Sequence, residues 1–561
     1  MVAVKHQSLA NPRAFIKSIY DELKLSGSDE AVAAKKALDI IPEKFKEVLS
    51  NANYREQIVD FGTTNIETLK PGTLVYFDCM VQDPNFSKEL QMYALELTNN
   101  ETGKKTIDFT LYADQTEDIN DEYSVSHDIN PSFIVDTEVI YCTEIPGKTS
   151  WNSQRNSIIP EEGSKFEESE EFKNKKKSRY PFPNTKHNAA VFYNGYPNFK
   201  VNQSIHVVGI FDYTLCHSEE SNEILWPTIL AINSSPMNEL FTPKEIESKN
   251  YSSAKELCHR YLMNHVGNDS LVATYLMLLL ISKSNSTNEK AGKFSISLIN
   301  APQISDDLLA DFSKNPTETF GIGNLSVHHL STQSLIKVFE SIMPVVVSIP
   351  VSIPILNKCP WLPNAENEAG LRSGILQLCP HSLVVLDEST LDEGVLEEQG
   401  LRNLNSLQRI VTEQKLGFIY PYQQIEIDLD IRFLVISKGK SLIKTDIVIP
   451  LTEFSDTADS SEDSVIIESR DLEFIRVYLN KASTLEFTIP SEVSTTISEE
   501  YANSRKESKD SPSTLLKTQE DLFLTLTVAR LLSLSKMESE LTIDSWKESL
   551  ELEKQRRSRL K

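Results

Sequence analysis

Several things are scarce in this chain of 561 residues, and each shortage closes off a class of function. Six cysteines, Cys79, Cys142, Cys216, Cys258, Cys359 and Cys379, are scattered with no Cys-x-x-Cys pair. That excludes a disulfide framework and a zinc site with spaced ligand pairs. Cys216-His217 and Cys258-His259 are neighbours by chance, because metal ligands come with a second spaced pair. Glycine is sparse, and no Gly-x-Gly-x-x-Gly follows a strand pattern. No Gly-x-Ser-x-Gly elbow and no His-Glu-x-x-His helix are present, and His328-His329 stands alone. The start, MVAVKHQSLANPRAF, lacks a basic segment followed by an apolar one, so it does not read as a secretory signal. The most apolar run, Leu271–Ile281, is shorter than the ~20 residues that cross a bilayer. It reads as a buried helix, and the expectation is a soluble, intracellular protein with no membrane contact. Positive charge is in short supply as well. The net charge of −25 and pI of about 4.9 repel nucleic acid unless a local basic patch intervenes, and suit a basic protein partner. Trp151, Trp226, Trp361 and Trp546 do not interleave with basic residues as in a single-strand groove, and are expected to pack.

The length calls for about two or three domains. Residues 1–66 form a helical lead-in. Asn11-Pro12 supplies an N-cap and a first-turn proline, and Phe15, Ile16, Ile19, Tyr20 and Leu23 share a face. A second helical stretch lies near Phe45–Leu49. Residues 67–235 are β-rich. Thr73–Asp83 reads as a strand after Pro71-Gly72, followed by Leu90–Leu97, Lys105–Tyr112 and Thr137–Thr143, with Asn198–Tyr213 as a hairpin. A small OB-like Greek-key barrel accommodates these strands. A disordered charged loop at about 152–186 interrupts it. Its Lys173, Lys175, Lys176, Lys177 and Arg179 fit a nuclear localisation signal and equally a solvated charge run.

Residues 250–450 change to α/β. Tyr251–His265 is helical, and Asp269 caps an apolar helix ending at Ser282. Lys293–Ile299, Ser382–Glu388 and Ile431–Ile436 are strands, and Ser305–Phe312 a helix. Near-continuous apolar strands separated by helices imply a mostly parallel sheet covered on both faces. An acidic linker, 451–468, leads to a helical region, 469–561, with a basic tail. The fold class is therefore α+β and multidomain.

Val384-Val385-Leu386-Asp387-Glu388 has the form of a Walker B strand, in which an Asp helps hold magnesium and a following Glu polarises water. A buried parallel strand ending in two acids has the same pattern without that chemistry. The partner motif decides between them. Cys142-Thr143-Glu144-Ile145-Pro146-Gly147-Lys148-Thr149 ends in Gly-Lys-Thr but begins with Cys and belongs to the β-rich half. In the α/β region the matching loop is Asn300-Ala301-Pro302-Gln303-Ile304, which has neither glycine nor lysine. Backbone N–H groups could not wrap a triphosphate there, and no cation would offset it. Asp387 and Glu388 are thus relics, no cofactor or metal is expected, and the chain is not expected to be an enzyme. An ATPase with a noncanonical loop and a single-stranded-DNA-binding OB protein are the alternatives.

Five segments in one order resemble the mini-chromosome maintenance complex-binding proteins. They are Pro71–Asp83; Pro146-Gly147 with Thr149-Ser150-Trp151; Gly267–Leu276 followed by Gly292-Lys293-Phe294; Ser373–Leu378 running into Leu383–Glu388; and Ala529–Ser535 with Trp546 and the basic end. The resemblance spans residue 70 to the C-terminus. It implies a nuclear protein that binds subunits of the replicative mini-chromosome maintenance helicase and reaches chromatin through them. It further implies roles in helicase assembly, stability or unloading, in DNA replication and cell division, and in sister-chromatid cohesion. The implied architecture is related to the helicase subunits, with a degenerate AAA+-like α/β domain.

Overall fold

A computed structural model of the chain describes residues 11–26, 29–49, 58–112, 122–125, 131–153, 187–195, 197–217, 223–237, 251–283, 293–301, 330–365, 371–389, 391–451, 468–507 and 518–560. It is a mixed α/β protein. Helix α1 (Pro12–Leu25) begins as its sequence dictates. The Asn11 carboxamide accepts the Ala14 N–H at 3.0 Å, and Pro12 occupies the first turn, where its missing N–H costs nothing. Helix α2 (Glu30–Leu49) packs back on α1, with Phe15 edge-on to Phe45 at 5.3 Å.

The β-rich part contains β1 (Val59–Asp60), β2 (Leu74–Met92), β3 (Ala94–Asn99), β4 (Lys105–Phe109), β5 (Tyr123–Val125), β6 (Ile134–Glu144), β7 (Asn188–Asn194), β8 (Ser204–His217) and β9 (Glu223–Pro236). The order β2-β6-β7-β9-β8 closes on itself through β2–β8 pairing, so these five strands form a barrel with one parallel pair, β7–β9. Alternation along the strands sorts side chains to the two faces of the barrel wall. Val75, Phe77, Cys79, Val191 and Phe211 fill the interior. Leu74, Tyr76, Val139, Phe192 and Leu230 face outward and are covered by Ile16, Tyr20, Ala37 and Phe45 of the helical hairpin. β3, β4 and β5 form a separate small sheet.

Asn198–Tyr213 is not a hairpin. A turn at Asn202, with φ of +65°, leads into the single long strand β8, whose hairpin partner is β9. The error has a physical source: alternation continues unbroken through β8, and the turn precedes the strand rather than dividing it. The charged loop from 154 to 186, with Lys173, Lys175, Lys176, Lys177 and Arg179, lies outside the described residues, as do the expected helix Ser305–Phe312 and most of the acidic linker.

A short helix, α3 (Ser150–Ser153), follows β6. Beyond the barrel, α4 (Tyr251–Asn264) and α5 (Ser270–Ile281) precede β10 (Ser295–Ile299). Asp269 caps α5 by accepting from Leu271 and Val272 N–H, and every α5 residue from Tyr275 to Ile281 is buried. Then come α6 (Leu330–Ile342), β11 (Val346–Pro350), α7 (Ile353–Lys358), β12 (Leu383–Asp387), α8 (Glu398–Glu413), a hairpin of β13 (Lys415–Ile419) and β14 (Gln424–Asp428), β15 (Arg432–Ile436) and β16 (Ile447–Pro450). The order β16-β10-β15-β12-β11 is parallel throughout. Both faces are buried, which explains the uninterrupted apolar strands. Leu383, Val385, Leu434 and Ile436 face a core built with α4, α5 and α6. Val384, Leu386, Phe433 and Val435 face a second core with α7, α8 and β13, and Met80 and Ile145 of the barrel enter that core.

Helices α9 (Ser469–Thr484), α10 (Ser491–Glu507), α11 (Gln519–Ser535) and α12 (Ile543–Arg559) complete the chain. The basic C-terminal residues Lys554–Arg559 are helical. Arg556 donates to Glu553 and to the Val448 carbonyl, Arg557 to Glu553 and Asp521, and Arg559 to Asp269.

Candidate functional site

A parallel sheet of this kind offers its ligand crevice at the carboxyl ends of its strands. Asp387 ends β12 there and is wholly buried. Its side chain accepts the Ser389 N–H at 2.9 Å, and its carbonyl accepts the Val351 N–H at 2.8 Å. Glu388 follows with 3% of its surface exposed, held by its N–H on the Ile436 carbonyl at 2.8 Å. Alternation sends its side chain to the face opposite that of Asp387, toward the turn after β15. Neither carboxylate oxygen receives a full hydrogen bond from the described residues. Burial pushes the Glu388 carboxyl above its usual range, and the nearby Ser441 hydroxyl, Leu442 N–H and Ser437 hydroxyl only moderate that shift. Asp387 and Glu388 are thus both buried, with their side chains on opposite faces of the sheet.

At the end of β10, where a phosphate loop would start, Asn300 adopts φ of +64° and the Ala301 N–H is taken by the Ser437 carbonyl at 3.0 Å. One backbone donor that a phosphate would need is therefore already in use. Pro302, Gln303 and Ile304 lie outside the described residues.

Gly147-Lys148-Thr149 lies elsewhere, at the start of β11. The helix after it spans only Ser150–Ser153 and offers no long dipole. Gly147 has φ of +74°, and its carbonyl accepts the Val346 N–H at 2.9 Å on the outer edge of β11. The Lys148 ammonium turns back to Asp78 of the barrel at 3.6 Å. Asp78 is shared with His206, whose Nδ1 lies 2.6 Å away. Burial raises the nearby Asp60 carboxyl and the charge of Lys148 opposes it.

Distant segments partner each edge of the parallel sheet in part. Gly147–Thr149 pair with the start of β11, and the Arg556 guanidinium donates to the Val448 carbonyl of β16 at 2.9 Å. Such contacts shorten the strand edge left open to other chains. Sequence reasoning missed these partners because they lie far along the chain. The Pro146-Gly147 turn pair, with Trp151 four residues on, was the available signal.

Trp361 and Trp546 are fully buried. Trp226 packs with Phe86 and Tyr141 at 5.4 and 5.3 Å, and Trp151 lies beneath Arg476 at 3.8 Å. Among the described residues no cluster of three or more His, Cys, Asp or Glu could hold a metal, and no helix is long and apolar enough to cross a membrane.

The family model described as mini-chromosome maintenance replisome factor matches residues 45–180 and 159–560. A Gallus gallus protein named mini-chromosome maintenance complex-binding protein is 23% identical over 98% of this chain and 97% of its own length. The Homo sapiens protein of that name is 24% identical over 92% of this chain and 93% of its own. The Arabidopsis thaliana protein of that name is 29% identical over 55% of this chain and 48% of its own.

Proposed function

The chain belongs to the mini-chromosome maintenance replisome factor family, and from that premise we propose that it is a non-catalytic partner of the mini-chromosome maintenance helicase. It binds helicase subunits and governs their assembly, stability or unloading from chromatin during replication, and so supports sister-chromatid cohesion. It works in the nucleus, with the run Lys173, Lys175, Lys176, Lys177 and Arg179 as import signal, and meets chromatin through its partner.

The observation that carries this reading is the state of the sheet's ligand edge. Numbered along the chain, the strands lie in the order 5-1-4-3-2, with one strand between the first and third, as in AAA+ ATPases. On that plan Asp387 and Glu388 stand at the Walker B position, yet Glu388 is buried with neither carboxylate oxygen in a full hydrogen bond, and the loop after β10 lacks glycine and lysine. A domain that keeps a helicase subunit's shape without its phosphate chemistry can occupy a neighbour's interface while contributing no working site. The N-terminal barrel fits the same plan. Its 1-2-3-5-4 closure and single parallel pair suit an OB-like fold. Residues 67–235 and 250–450 are then the OB-like and degenerate ATPase-like domains, flanked by the helical lead-in and the C-terminal helical region.

The single-strand-binding alternative is disfavoured by one feature. OB barrels bind strands on the outer face of their second and third strands. Here Val139, Ala190 and Phe192 of that face are buried against α1 and α2.

Affinity capture from nuclear extract, with co-purifying chains identified, tests the proposal. Helicase subunits should be retained both by the wild type and by the Asp387→Asn/Glu388→Gln variant. Capture without helicase subunits overturns the partner. Loss of capture in a folded variant, or steady-state ATP turnover by the purified wild type, overturns the relic site.

A further inference from the structure

We propose that Gly147–Trp151 is a latch that fixes the barrel to the parallel sheet, and that opening it is how the two halves become separate bodies. Gly147, Lys148 and Thr149, the end of the phosphate-loop look-alike, each have a distinct task in it. Gly147 allows the approach: a Cβ there would stand 2.4 Å from the Val346 carbonyl oxygen, and φ of +74° is strained for any other residue. Its carbonyl then takes the Val346 N–H. Lys148 reaches the other way, to Asp78 on the barrel, with 12% of its side chain exposed. Thr149 holds the chain just before β11, its N–H on the Pro344 carbonyl at 3.1 Å and its hydroxyl on the Met343 and Pro344 carbonyls at 3.2 and 3.1 Å. Trp151 completes the grip. Its indole N–H donates to the Glu340 carbonyl at 2.7 Å, at the end of α6, and Arg476 of α9 lies over its ring at 3.8 Å.

The contact joins elements from three parts of the chain within one short segment. A second contact flanks it. The Gln82 amide donates to the Leu371 carbonyl at 3.0 Å, and the Gln377 amide to the Gln82 carbonyl at 2.9 Å. Between the two, Met80 and Ile145 enter the core around Trp361 and Ile375. The flanking patch contributes burial. The latch supplies direction, because its hydrogen bonds extend the β11 edge and fix the angle at which the barrel leaves the sheet. This device does not depend on which partner the chain binds.

Hydrogen–deuterium exchange and calorimetry on the full chain test it. In Thr149→Val/Trp151→Ala, peptides containing Val346 should exchange at least tenfold faster, while β12 and β8 keep wild-type protection. One calorimetric transition over barrel and sheet should become two. Unchanged exchange at Val346 with one transition overturns the latch. So does loss of protection at Val346 and β12 together, because the segment is then part of the sheet's own stability. If the double variant does not fold, Thr149→Val alone, one hydroxyl exchanged for a methyl, carries the same comparison.

Discussion

Asp269 and Arg559, 290 residues apart, form one clasp. The Asp269 carboxylate caps the N-terminus of α5 and receives both terminal nitrogens of Arg559 from the last turn of α12. The end of the chain is thereby fastened to the start of its most apolar helix.

Burial pushes the Asp269 carboxyl upward, but Arg559 and the Val272 and Leu271 N–H groups outweigh it and hold the carboxyl below its usual range. A depressed folded value means that the carboxylate stabilises the fold at neutral pH. That contribution fades as pH falls through the unfolded value of ~3.9 and is gone below the folded one. Asp269→Ala should cost about 1–2 kcal/mol at pH 7, whereas Asp269→Asn should keep most of the cap. In urea titrations at the lowest pH where the chain folds, the Asn difference should vanish and the Ala difference should shrink to the value of a neutral cap.

Truncation after Gln555 should be far more damaging than removal of a free tail. Glu553 is 2% exposed and is satisfied by Arg556 and Arg557. Without them a buried carboxylate is left unpaired, at a cost of ~3–5 kcal/mol. A truncated chain whose thermal midpoint matches wild type would show that the pairs are not formed in solution.

Glu388→Gln should stabilise the chain at pH 7. An acid whose folded value is raised binds more protons folded than unfolded, so it subtracts stability as pH rises from the unfolded carboxylate range through the raised one. The advantage of the glutamine should shrink as pH approaches ~4. Chemical denaturation at pH 7.5 and 4.5 measures it, and a destabilised glutamine variant at pH 7.5 would contradict the assignment.

Gly374→Ala should cost ~1–3 kcal/mol, because the added Cβ would meet the Trp361 carbonyl oxygen and the Leu362 backbone at 2.4 Å. Gly439→Ala is the control: nothing lies within 4 Å of its Cβ position. Its melting temperature should stay at the wild-type value.

Local signals carried far in this protein. Asn11 before Pro12 and Asp269 before an apolar run specify helix starts from a few adjacent residues, and both caps form. The apolar strand into Asp387 specified a parallel strand buried on both faces, because it lacks polar alternation. The missing glycine and lysine after β10 were legible outright, since absence of a residue type needs no fold to be seen. What failed depended on distance along the chain. β8 was divided into a hairpin because its real partner, β9, begins only after a further break. The basic end read as a tail because Asp521 and Asp269, which pair with its arginines, are not neighbours in sequence.

By itself, then, the sequence determined the helix caps, the strand periods and the lack of glycine and lysine after β10, all set by short-range sterics and side-chain chemistry. Only the tertiary structure decided where Gly147-Lys148-Thr149 is used. The same three residues could cradle a phosphate at the mouth of a helix or grip the edge of a sheet. Closure of the barrel beside β11 placed them at an edge whose N–H and C=O groups would otherwise be unpaired.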